Sequence, residues 1–309
     1  MQPFKMMIGD MVNDEQKSYA YGIQSMLSNS GAVIAAFFPF LLTVLGVANT
    51  AKKGVVPQSV VISFYVGATI LVITSLLTVT KVHEYDPKTY ARYHGIKEED
   101  NKEGGNWFEL LKKAPKVFWQ VSLVQLFCWF SFQYLSTYAT GAIAENVWKV
   151  TDPSSAGYQL AGNWFGVLTA VQSIAAVIWS YVLAKVPNDH HKVGYGISLL
   201  LGAIGYGSIF FIHSQNILIV SFILIGISWA AMNTYPLTMV SNALSGKHMG
   251  TYLGLFNCSI CLPQIIASLL SFILFPLMKY SMPAMMLTAG ISGILAAVCV
   301  LFIKETYKN

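Results

Sequence analysis

Residues 226–270 read GISWAAMNTYPLTMVSNALSGKHMGTYLGLFNCSICLPQIIASLL and carry one formal charge, Lys247. Two long apolar runs flank a short polar turn, SGKH, at 245–248. A helix crossing the hydrocarbon of a bilayer needs about 20 mostly apolar residues. The runs 217–244 and 249–277 meet that length. Neither shows the alternation of a barrel strand, so the segment predicts two transmembrane helices joined by a tight loop. Neutral amides, among them Asn233, Asn242, Asn257 and Gln264, sit inside the runs.

The rest of the chain repeats this pattern. Of 309 residues, 55% are hydrophobic and 11% charged, with mean hydropathy +0.55. A soluble globular chain carries roughly 25% charged residues. That balance excludes disulfide scaffolds, disordered proteins and nucleic-acid binders, and makes the lipid bilayer the partner. Cys128, Cys258, Cys261 and Cys299 lie in apolar runs without a second Cys pair or a His at ligand spacing, so neither a metal nor a disulfide frame is expected. Nothing in the chain calls for a cofactor. Eight full spans are expected, at 19–47, 56–80, 117–144, 162–184, 193–213, 217–244, 249–277 and 283–303.

The segment 81–116 holds 15 of the 33 charged residues and reads as a solvated loop. Within it, 107–113 is a short amphipathic piece suited to the membrane surface. With this loop in the cytoplasm, that side carries fourteen Lys and Arg residues and the opposite side four. The positive-inside rule then places both termini in the cytoplasm.

The first twelve residues, MQPFKMMIGDMV, are apolar yet too short to span, and they lack the features of a signal peptide. Pro3, Met6 and Tyr19 recur as Pro236, Met239 and Tyr252, each 233 residues on. A repeat at that offset makes 117–309 a six-helix unit. It makes 1–80 the remainder, helices four to six, of a first unit whose start lies upstream of Met1, with 81–116 the linker between them. Two such units joined by a cytoplasmic loop are the plan of major facilitator transporters. The alternative is a natural eight-span protein with an interfacial N-terminal helix.

Residues 226–270 also resemble the tenth and eleventh helices of the sucrose-transporter-like branch of the major facilitator superfamily, which includes glycoside:cation symporters. The start, QPFKMMIGDMV, resembles that branch's fourth helix, and SNSGAVIAAFFPFLL at 28–42 its fifth. The resemblance implies an all-α major facilitator fold of twelve helices, of which this chain is the C-terminal three-quarters. It further implies a sugar or glycoside substrate, a disaccharide such as sucrose or maltose, with proton or sodium coupling by alternating access in the cell membrane. Lys5 stands where the branch carries arginine; the charge is kept and the bidentate fork lost.

Candidate site residues follow from what the spans contain. Inside the eight runs there is no Asp, Glu, Lys or Arg apart from their ends. An ionisable group there costs about 2.5–3.5 kcal/mol on insertion scales. Its absence excludes intramembrane proteolysis by paired Asp, a voltage sensor and an acidic pore ring. Neutral polar and aromatic groups remain, and amides offer both donors and acceptors to hydroxyls. Gln133, Tyr134, Gln172, Trp229, Asn233, Asn257 and Gln264 are the expected substrate contacts. For each, interhelical hydrogen bonding is the competing role. Lys5, Asp10, Glu145 and Asp189 are the candidates for coupling or gating. The competing function for the whole chain is that of a non-transporting, truncated or receptor-like membrane protein.

Overall fold

The computed structural model describes residues 12, 16–48, 58–82, 89, 107–153, 155–187, 190–244 and 249–304. Lys5, Asp10 and Asp189 lie outside them. The described residues are helical, without strands. The helices are α1 (Lys17–Val44), α2 (Gln58–Lys81), α3 (Trp107–Lys113), α4 (Lys116–Ile143), α5 (Ala156–Leu183), α6 (His191–Ser208), α7 (Leu218–Ala243), α8 (Met249–Phe256), α9 (Cys258–Leu277) and α10 (Met282–Val300). A π-helical turn, Ala144–Trp148, continues α4.

Five stretches are long and apolar enough to cross a membrane: α2, α5, α7, Thr251–Leu277 and α10. The other three expected runs coincide with α1, α4 and α6. Local chemistry moves some ends. α5 starts six residues before the apolar run because the Ser155 hydroxyl accepts from the Tyr158 N–H at 3.2 Å, a side-chain cap that polarity counts miss. The run 249–277 holds α8 and α9, and the backbone stays helical through Asn257 between them, whose N–H bonds the Leu253 carbonyl at 3.1 Å and whose carbonyl accepts from the Cys261 N–H at 3.2 Å.

Helices α4, α6 and α10 pack together, α7 packs on both α6 and α5, and α9 lies along α4. α1 lies on α5 and touches α7, and α2 leans on α1. Glycines allow the closest approaches. A Cβ on Gly226 of α7 would collide with the Gln172 carbonyl of α5. One on Gly290 of α10 would lie 2.8 Å from the backbone of Gly207. Small residues at such crossings let helix backbones approach, the main source of attraction where lipid is as apolar as the protein.

Polar stitches complete the bundle. Ser131 of α4 donates to the Ala289 carbonyl at 2.8 Å, and Ser292 of α10 to the Phe127 carbonyl at 2.9 Å. Pro236 within α7 has no N–H, so the Met232 carbonyl four residues back loses its helical partner. The Gln125 amide of α4 donates to that carbonyl at 3.1 Å. At one end of the bundle, Lys192 donates to the Leu301 and Ile303 carbonyls at 2.8 and 2.9 Å. This closes the C-terminus of α10, where a cation is favoured. The short α3 is tied to α8 by the Tyr252 hydroxyl, which donates to the Leu110 carbonyl at 3.0 Å.

Candidate functional site

A polar and aromatic belt runs across α9, α4, α7 and α1. On α9, Ser268 donates to the Gln264 carbonyl, and the Gln264 amide to the Ile260 carbonyl, at 2.8 and 3.0 Å. The Gln133 amide of α4 reaches Ser268 at 3.3 Å and Thr137, one turn along its own helix, at 3.4 Å. Beside Gln133, Phe132 lies against Trp229 of α7, ring centres 4.4 Å apart and 30° between planes. Trp129 meets Trp229 edge to face at 5.8 Å. The Trp229 indole N–H donates to the side-chain oxygen Oδ1 of Asn29 in α1 at 3.0 Å. The Asn233 amide donates to the Trp229 carbonyl at 2.8 Å.

The helices explain the continuity. Residues 129, 132, 133, 136 and 137 lie three and four apart on one side of α4, and 229 and 233 do so on α7. Gln133, Trp229, Asn233 and Gln264 are all half-buried, and Ser136 and Thr137 exposed, so the belt has an open side. The four helices carry no Asp or Glu, and Lys only as the first residue of α1 and of α4. The belt is therefore neutral. It presents amide and hydroxyl groups beside flat rings, a surface for a neutral molecule with both hydroxyls and apolar faces. Among the described residues, no group of His, Cys, Asp and Glu could hold a metal ion.

The expected contacts divide. Gln133, Trp229, Asn233 and Gln264 fall on the belt. Asn257 stands between α8 and α9, its amide 3.9 Å from the Cys261 sulfur. Tyr134 and Gln172 do not join them. Tyr134 is fully buried among Phe130 and Tyr138, and Gln172 is 7% exposed where α5 meets α7. Glu145 is also apart from the belt. It sits in the π turn, where its carboxylate accepts from the Met282 N–H at 3.4 Å at the start of α10. Burial raises its pKa above the ordinary carboxylate value, and the Met282 N–H opposes that in part.

Six belt residues were not anticipated: Asn29, Phe132 and Trp129, with the hydroxyls of Ser136, Thr137 and Ser268. The Trp129 indole nitrogen is buried without a hydrogen-bond partner among the described residues. Asn29 carried a signal in the sequence, because Tyr21, Ser25 and Asn29 recur every fourth residue along α1. Phe132 and Trp129 carried none, since aromatic residues are common throughout the apolar runs.

Comparison with known families gives one finding. The model of the Major Facilitator Superfamily matches residues 2–268 and 149–309, two overlapping stretches that together take in nearly the whole sequence. No curated protein matches the chain.

Proposed function

The chain belongs to the Major Facilitator Superfamily, a family of membrane transporters rather than enzymes, and on that premise we propose that it carries a sugar or glycoside across the cell membrane. The substrate class is a disaccharide such as sucrose or maltose, moved by alternating access and coupled to protons. The observation that carries this reading is the neutral belt, in which Gln133, Asn233 and Gln264 lie half-buried on α4, α7 and α9, the first two of which carry the stacked Phe132 and Trp229 rings. Hydroxyls pair with amides and the apolar face of a pyranose packs on an aromatic ring, whereas an ionic substrate would ask for a countercharge.

In this reading 117–309 is the second six-helix half, 81–116 the cytoplasmic linker and 1–80 part of the first half. Eight spans cross the membrane, with both termini in the cytoplasm. Uptake of labelled sucrose and maltose into liposomes, using the product of the longest reading frame that contains this chain, tests the proposal. Uptake collapsed by an uncoupler and reduced about ten- to a hundredfold in apparent affinity by Asn233→Leu is expected, the cost of a hydrogen bond lost in a desolvated site. Gln172→Leu, inside the bundle, leaves affinity unchanged and lowers thermal stability instead. Normal sugar binding in Asn233→Leu, Gln133→Leu and Gln264→Leu would remove the belt as the sugar site.

A further inference from the structure

Tyr21, Ser25 and Asn29 stand four residues apart on one face of α1 and are all buried. Each meets a different residue of the six-helix bundle. The Tyr21 hydroxyl lies 3.4 Å from that of Ser241 at the end of α7. The Ser25 hydroxyl lies 3.1 Å from that of Ser180 near the end of α5. Asn29 accepts from the Trp229 indole N–H, and its own amide donates back to the Ser25 backbone carbonyl at 2.7 Å and to the Ser25 hydroxyl at 3.3 Å. The last two rungs are thus joined through the Asn29 side chain. Gly22 lies within the same contact, where an added Cβ would be 3.0 Å from that of Ala184.

Ala32, on the same face three residues after Asn29, is exposed. Among the described side chains, α1 is therefore held to α5 and α7 by Tyr21, Ser25 and Asn29. The rungs are neutral. Interhelical hydrogen bonds in membranes are weak, each changing a conformational equilibrium about threefold and three together about twentyfold. A ligand can reverse a bias of that size with a modest difference in affinity between two states.

We propose that Tyr21, Ser25 and Asn29 form a neutral hydrogen-bond latch that closes the α1 interface with α5 and α7. Its last rung makes Asn29 a positioning residue for Trp229, so occupancy of the aromatic belt and opening of the latch are coupled. The coupling rests on the transport reading; the latch itself does not. When α1 swings away, the indole loses its acceptor and the Trp229 ring its fixed plane against Phe132. A substrate that holds that ring in one plane favours the latched state, and one that turns it favours release.

The test uses the full chain in liposomes with Ala184→Cys, half-buried against Gly22 and outside the three rungs, as the reporter and Cys258, Cys261 and Cys299 changed to serine. The labelling rate by N-ethylmaleimide then reports opening. Asn29→Leu and Tyr21→Phe together are expected to raise that rate about tenfold, as two lost rungs require. Tyr21→Phe alone, which removes one oxygen from an otherwise intact ring, raises it about threefold. An unchanged rate in Tyr21→Phe and in the double variant overturns the latch. Asn29→Leu is also expected to shift the Trp229 emission, isolated by difference against Trp229→Phe; no shift overturns the positioning role. Sucrose, as the probe, changes the rate with Asn29 present and has no effect in Asn29→Leu. A sucrose effect that persists in Asn29→Leu overturns the coupling. No sucrose effect in either protein, with the variant rates as expected, upholds the latch; it overturns the coupling if sucrose uptake is present and counts against the sugar reading if uptake is absent.

Discussion

Helices α2 and α7 are of nearly equal length, 24 and 26 residues, and α2 is the more apolar. Yet none of the apolar window of α2 is buried within the protein, against 61% of that of α7. In water the order would be reversed, because apolar area drives burial there. In a bilayer lipid solvates the apolar surface, and what draws a helix inside is close packing and hydrogen bonding. α7 has both: Gly226 against the Gln172 carbonyl, Gln125 on the carbonyl freed by Pro236, and Trp229 and Asn233 on the belt. α2 has hydroxyls that turn back on their own helix, as Thr74 does to Ile70 and Thr78 to Thr74. Those groups satisfy themselves and ask for no neighbour.

The largest effect expected from this contrast is that of a charge. Leu71→Asp, on the exposed side of α2, is expected to cost about 2.5–3.5 kcal/mol in insertion. Asn233→Asp on the open belt inserts with a smaller loss. Glycosylation-based insertion assays measure both, and equal losses would break the comparison by giving the two helices the same surroundings.

A smaller effect comes from packing. Gly226→Leu drives a side chain into the α5 backbone and is expected to destabilise by about 1–3 kcal/mol or more. Gly67→Leu on α2, where an added Cβ meets nothing within 4 Å, leaves the melting temperature of the detergent-solubilised protein unchanged. A matching drop in Gly67→Leu would show that α2 is packed against protein after all.

The smallest effect lies at the end of α4. Glu145 has its pKa raised by burial, so the folded protein holds the proton more tightly than the unfolded chain. Its contribution is fully present below the ordinary carboxylate pKa and is lost as pH rises through the raised value. Glu145→Gln is therefore expected to flatten the fall in thermal stability as pH climbs above the mid-acid range. An unchanged pH profile would place the carboxyl in ordinary solvation.

Much of the helix plan was legible in the sequence, since a run of apolar residues free of charge has few other ways to satisfy its backbone in lipid. The Ser155 cap was not, because it depends on one hydrogen-bonding group outside the apolar pattern. The belt was legible in part. Gln133, Trp229, Asn233 and Gln264 stood out as neutral polar or aromatic groups in mid-span, while Asn29, on a helix read chiefly for its length, did not.

Gln133 and Tyr134 show where the sequence stopped. Adjacent in the chain, they point about 100° apart on a helix with 3.6 residues per turn. In a soluble protein the polar face would reveal which of them is outside, but α4 is apolar on every side except for scattered amides and hydroxyls. By itself the sequence determined that these residues lie in a helix of the membrane and that neither is charged. Only the tertiary structure decided that Gln133 reaches Ser268 on the open belt while Tyr134 turns into the bundle. The physical reason is that lipid and protein interior are alike to an apolar surface, so the choice of face is made by the partners: α9 for Gln133, and the rings of Phe130 and Tyr138 for Tyr134.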